Sequence, residues 1–300
     1  MRIFILMFLL ISCSSPDVEI IRVPAPESET PDVDPGTEPE TERETEPEPE
    51  AEWNMVFEEN FDDQSLTEWN VWESGAYNNE IQLYRREQLT VEDGILTITA
   101  KREAVTGDTN PFDVTPKDFE YVSGRLETTT QFGPSADEGE NAYRIMARIK
   151  LPSGNGIWPA FWTLGDDWPT NGEIDILEAR GNEPMTFATN IFYGTEVGVP
   201  LTQNDENTIT EYELAVDITA DFHEYELIWR ADSLEIFFDG QLLKRYDANG
   251  DNYIAELFNK KHNVILNTAV GGLFFPPDAD SAEFADEASM QVDWVRIFKR

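Results

Sequence analysis

The sequence predicts an all-β domain, a sandwich or barrel built from many short strands. Three observations carry this. β-Branched and aromatic residues recur in short runs, turn-forming residues separate those runs, and no long amphipathic helix is evident. The runs, in order, are 54–57, 89–100, 121–132, 143–151, 185–192, 211–218, 224–229, 234–238, 263–266 and 290–298. Glu92-Asp93-Gly94, Pro152-Ser153-Gly154 and Asp239-Gly240 supply turn chemistry between them. Residues 252–259 read as one short turn of helix.

Before the first run lie two segments of different texture. Residues 1–13 read as an export signal: Met1-Arg2 is a minimal basic start and Ile3–Ile11 a short apolar run, too short to span a bilayer as a mature helix. The run ends at Cys13, the only cysteine, which excludes an intrachain disulfide. Leu-Ile-Ser-Cys is similar to a bacterial lipoprotein signal, in which Cys13 would be acylated and anchor the chain to an outer membrane or cell surface. An ordinary secretory signal with an incidental cysteine is the alternative. Residues 14–52 read as a disordered linker, because Thr-Glu-Pro-Glu-like units with few large apolar residues stay extended and unfolded. Residues 53–300 are then the folded domain. The formal charge of −39 over 300 residues argues against nucleic acid or an anionic surface as a partner.

The functional reading centres on residues 172–178, Gly-Glu-Ile-Asp-Ile-Leu-Glu. Carboxylates alternate with apolar side chains at the period of a strand with one face in a core. Glu173 and Asp175 share a face, and Glu178, three residues on, would point away unless one residue near Ile176–Leu177 bulges. With the bulge, Glu173 and Glu178 stand roughly 13 Å apart at Cα and could bring their carboxyls to roughly 5 Å, the spacing of a retaining glycosidase. Three like charges on one short face should raise at least one pKa. A solvated acidic face on an edge strand is the competing reading. Upstream, Trp158 and Trp162 are four apart and share a strand face, as sugar-stacking platforms or as plain core.

The stretch Gly156–Leu164 followed by Glu-Ile-Asp-Ile-Leu-Glu resembles glycoside hydrolase family 16, specifically its laminarinase-like endo-1,3-β-glucanases. Segments 77–84, 123–128, 148–154, 222–225, 239–240, 266–272 and 292–296 agree in the family's order, so the resemblance covers roughly 53–300. It implies a jelly roll of two curved antiparallel sheets with an open cleft, acting as a monomer on β-glucan with no catalytic cofactor. By the same resemblance Glu173 is the nucleophile, Glu178 the acid/base and Asp175 an assisting carboxylate. Trp158, Trp162, Asn79 and Arg125 would bind sugar, although Arg125 could equally serve a sheet salt bridge. A structural calcium is implied, held by backbone oxygen near Glu59, the Gly94 carbonyl and the Asp293 side chain, with a plain hydrogen-bonded Asp293 as the alternative. One departure stands out: laminarinases usually carry a histidine on the strand after the catalytic one, where this chain has Asn190 and Phe192. Mixed-linkage glucan, an algal galactan or a non-catalytic carbohydrate-binding role are the other readings.

Overall fold

The computed structural model describes residues 19–24, 52–135, 141–201, 209–247, 254 and 258–300. Two sheets face each other. One contains, in spatial order, β1 (Glu19–Val23), β13 (Thr210–Leu214), β12 (Thr186–Phe192), β11 (Glu173–Glu178), β10 (Ile157–Gly165), β17 (His262–Val270), β8 (Arg125–Thr128) and β3 (Trp69–Val71). The other runs β16 (Gln241–Asp247), β15 (Ser233–Phe238), β14 (His223–Arg230), β9 (Tyr143–Lys150), β18 (Glu287–Lys299), β6 (Ile95–Asn110), β7 (Asp113–Ser123) and β4 (Gln82–Tyr84). On this second sheet β2 (Asn54–Glu59) pairs with β18 and β5 (Leu89–Glu92) with β6. The pairing is antiparallel except for β1 with β13 and β4 with β7, which are parallel. The jelly-roll sandwich expected from the sequence is therefore the fold, with two parallel edge pairs added.

Alternation explains why these segments pair as they do. In β9 and β14, Ile145, Ala147, Ile149, Tyr225, Leu227 and Trp229 enter one core with Ile174, Phe161, Val264 and Leu266 of the opposite sheet. Two of the three expected turns form tight hairpins as the residues dictate. Asp93 and Gly94 both take positive φ (51° and 76°), as do Asp239 and Gly240 (46° and 78°), the geometry of a type I′ hairpin. Near the expected helical turn at 252–259, Phe258 N–H bonds to the Ile254 carbonyl at 3.1 Å, and most of that segment lies outside the described residues.

The linker expected over 14–52 needs one correction. Glu19–Val23 is a strand that pairs with β13 in parallel, with Val23 in the core and Arg22 bonded to Glu213 at 2.9 Å. Its physical basis is three β-branched residues in five (Ile20, Ile21, Val23), of which Val23 is buried and Ile21 packs on the core while Ile20 faces out at 62% exposure. Cys13 and residues 25–51 lie outside the described residues.

Candidate active site

The catalytic strand candidate is β11, in the middle of the first sheet. Gly172 leads into it with φ 85°, and a Cβ there would sit 2.7 Å from the Phe258 ring, so only glycine fits. On one side β11 pairs with β10: Leu164 faces Glu173, Trp162 faces Asp175, Phe161 faces Leu177 and Ala160 faces Glu178. On the other side Phe192, Asn190 and Ala188 of β12 face Glu173, Asp175 and Glu178. Both ladders skip at the same place, which leaves Ile176 as the extra residue of a bulge. In consequence Ile174, Ile176 and Leu177 all enter the core, and Glu173, Asp175 and Glu178 share the opposite face. The bulge inferred from three-residue spacing is present where the spacing required it.

That face is shielded from water although it points away from the core. Asp175 is 3% exposed and Glu178 9%, while Glu173 keeps more of its surface open. Burial first, then the neighbouring Glu178, pushes Glu173 up to about 8, against the opposing pull of Trp168 and Arg125. Burial likewise raises Glu178 to about 7, with the Trp158 indole and Arg180 holding it down and Glu80 pushing it up. Asp175 lies well above the carboxylate range because burial, Glu178 and Glu173 all oppose its charge, and its Oδ2 has no hydrogen-bond partner. The three titrate as one unit that retains protons near neutral pH.

Trp158 donates its indole N–H to Glu178 Oε1 at 3.0 Å. Its ring stacks on Phe274 at 4.7 Å, and Arg180 covers the other aromatic surface at 4.1 Å from the Phe274 centroid. Arg180 is itself fixed by Glu211 at 2.9 Å and by the Phe274 carbonyl at 3.0 Å. Trp162 donates to Asn267 Oδ1 at 2.7 Å. Arg125 is 5% exposed, with its guanidinium 3.8 Å from the Trp72 ring centroid, 4.9 Å from that of Trp162, and 3.6 Å from Glu127. It thus meets the aromatic face and a sheet carboxylate together. Asn79 is exposed in a left-handed conformation (φ 57°), and no contact joins it to the carboxylates; its neighbour Asn78 reaches Glu80 instead.

At the departure on β12, the Phe192 ring lies 6.1 Å from Trp168, and Asn190 Oδ1 accepts the Ile191 N–H at 2.9 Å. The two histidines are structural. His223 bonds Asp239 at 2.7 Å, and His262 is buried between Thr163 at 2.9 Å and the Asn171 carbonyl at 2.6 Å.

The oxygens expected to hold calcium, from the backbone near Glu59, the Gly94 carbonyl and the Asp293 side chain, lie on neighbouring segments: Glu59 pairs with Val295, and a Cβ on Gly94 would lie 3.7 Å from the Asn60 carbonyl oxygen. Asp293 bonds the Arg148 guanidinium through Oδ2. The Glu59 carboxylate accepts the Phe61 N–H at 2.8 Å and the Trp69 indole at 3.1 Å, and the oxygen expected for calcium there is a backbone one. Gly94 sits at its hairpin turn, and among the described residues no group of three His, Cys, Asp or Glu side chains converges, so the calcium expectation rests on the resemblance.

Sequence reasoning missed several contributors: Glu80, Gln82 and Tyr84 at period 2, Asn267, Trp72, Arg180 and Phe274. The alternation of Glu80, Gln82 and Tyr84 was a usable signal for the first three. The others carry no local pattern.

Residues 76–296 match the model for glycosyl hydrolases family 16. The clotting factor G alpha subunit of Tachypleus tridentatus is 32% identical over 257 residues, 83% of this chain and 34% of its own, so the chain spans about a third of that relative. The glucan endo-1,3-beta-glucosidase of Cryptopygus antarcticus is 32% identical over 269 residues, 81% of this chain and 91% of its own. Among solved structures, the laminarinase catalytic domain from Thermotoga maritima aligns with a TM-score of 0.67 at 29% identity, covering 83% of this chain and 98% of that one.

Proposed function

The chain belongs to glycosyl hydrolase family 16, and on that premise we propose that it hydrolyses internal β-1,3-glucosidic bonds of laminarin-type glucans with retention of configuration. The observation that carries this is the bulged β11, which turns Glu173, Asp175 and Glu178 onto one face beside Trp158 and Trp162. Asp175, its charge opposed by burial and by both neighbouring glutamates, keeps its proton. Glu173 and Glu178 then share one further proton, and the productive form carries it on Glu178. Glu178 donates it to the leaving glycosidic oxygen as Glu173 attacks the anomeric carbon. The covalent glycosyl-enzyme is released by water that Glu178 deprotonates, returning the starting state. The reaction draws on these carboxylates, and the protein's own aromatic wall holds the sugar.

Laminarin digestion followed by proton NMR tests the reading: short oligosaccharides should appear early, with the β-anomer first. Glu173→Gln and Glu178→Gln should each lower turnover by about a thousandfold or more with the fold intact. First appearance of the α-anomer, or near-normal turnover in either variant, refutes it. Lichenan, agarose and carrageenan in parallel would show whether Phe192, opposite Glu173, redirects linkage preference.

The lipid anchor at Cys13 is part of the same proposal and rests on the sequence signal. It has a geometric consequence. Glu19 is already in the sheet, so at most ~20 Å of chain separates an acylated Cys13 from the β1 edge, and the acidic stretch after β1 would not act as a spacer. Labelled palmitate should enter the wild type and not Cys13→Ala; labelling of neither would sink the anchor.

A further inference from the structure

Glu80 is a buried carboxylate that the cleavage chemistry above does not use. It is 7% exposed, and its Oε2 accepts both Gln82 Nε2 at 2.6 Å and the Tyr84 hydroxyl at 3.2 Å. Tyr84 OH in turn accepts Asn267 Nδ2 at 3.2 Å, and Asn267 Oδ1 accepts the Trp162 indole at 2.7 Å.

The sense of this chain has no freedom. An indole N–H can only donate, so the Asn267 oxygen must face Trp162 and its NH2 must face Tyr84. The Tyr84 oxygen is then an acceptor there, and its single proton must go to Glu80. Gln82 is oriented independently: its Oε1 accepts the Val270 N–H at 2.8 Å, so its NH2 also points to Glu80. Two donors converge on one oxygen, and a carboxylate oxygen accepts both without disturbing either.

Glu80 also lies beside the other half of the site. A Cβ on Gly272 would lie 3.2 Å from Glu80 Cγ and 3.4 Å from the Trp158 ring, so the two side chains flank the same glycine. Trp158 is the residue bonded to Glu178.

From this geometry we propose that Glu80 is a positioning residue of the cleft: it ends the one-way chain Trp162–Asn267–Tyr84 and so fixes the Trp162 ring against the sugar, while its charge, beside Trp158 across Gly272, acts on Glu178. This deepens the glucanase reading and rests on it. The charged and titratable groups around Glu80 are Arg125, Tyr84 and Glu178, with Lys117 on its backbone carbonyl at 3.2 Å. Those around Glu178 are Glu173, Asp175, Arg180 and Glu80. Glu80 opposes ionisation of Glu178, and Arg180 favours it.

Two substitutions separate the two contributions. Tyr84→Phe cuts the chain and leaves the charge. Its KM should rise about 3- to 10-fold, the scale of one lost hydrogen bond, with the basic limb of kcat/KM unmoved. Glu80→Gln keeps an acceptor oxygen and removes the charge. It should leave KM within about twofold and move that basic limb to lower pH, because Glu178 then ionises more easily. An activity-independent readout is the Trp162 indole N–H resonance, assigned through Trp162→Phe. It should shift and exchange faster with solvent in Tyr84→Phe and stay put in Glu80→Gln. An unmoved indole resonance together with unchanged KM in Tyr84→Phe overturns the proposal, even if that variant melts earlier. A wild-type protein inactive on every β-glucan would overturn the glucanase reading alone, because the indole measurement still judges the chain.

Discussion

Replacing Glu173 by Gln should make the folded protein more stable at alkaline pH and leave it nearly unchanged at acidic pH. The carboxyl is held at about 8 against an ordinary 4.5, chiefly by burial. A raised folded pKa means that Glu173's contribution is fully present below about pH 4.5 and is lost as pH climbs through 8. Linkage over that interval amounts to ~3.5 kcal/mol between pH 5 and pH 8 for an isolated group. Two features of the site reduce it. Glu173 keeps part of its surface toward solvent, and it shares its titration with Glu178 and Asp175. The expected gain for Glu173→Gln is therefore roughly 1.5–2.5 kcal/mol at pH 8 and a few tenths at pH 5. Urea denaturation of both proteins at the two pH values measures it directly. Equal differences at both pH values, or a wild type more stable than the variant at pH 8, would refute the claim that this strand holds its carboxylates under electrostatic strain.

Three further outcomes follow from other parts of the structure. Trp158→Phe removes the 3.0 Å donor that favours charged Glu178, so the basic limb of kcat/KM should move to higher pH, with activity down about 3- to 10-fold; an unmoved limb would show that this bond does not tune the acid. His262 is buried and held near 3, so its contribution is complete above about 6.5 and is lost as pH falls. Between pH 6.5 and 5 the wild type should lose about 1.5 kcal/mol more than His262→Gln, and parallel pH profiles would contradict that. Val23→Ala should lower stability by about 1–2 kcal/mol and Ile20→Ala by less than about 0.5, since only Val23 is in the core; equal effects in a urea titration would mean that β1 is not docked.

Much of the site was readable before any coordinates because its determinants are local. Alternation places Glu173 and Asp175 on one face, and three-residue spacing demands a bulge before Glu178 can join them. The hairpins at Asp93-Gly94 and Asp239-Gly240 are also local, since positive φ is a property of those residues themselves. Strand edges were less readable. The observed β6 runs to Asn110, ten residues past the expected end at Ala100, because its partner β7 continues the hairpin beyond the sheet's hydrophobic pattern. Nor could the sequence show that Arg148, on β9, meets Asp293 on β18.

By itself the sequence determined an all-β chain and a strand with three carboxylates turned to one face. Both follow from the two-residue repeat of extended backbone. Tertiary structure alone decided which groups meet those carboxylates and which protons they keep. Trp158, Arg180 and Glu80 arrive from separate strands and loops. The same holds for β1: five residues with a weak pattern become a strand because β13, 191 positions away, offers a free edge and the core a place for Val23.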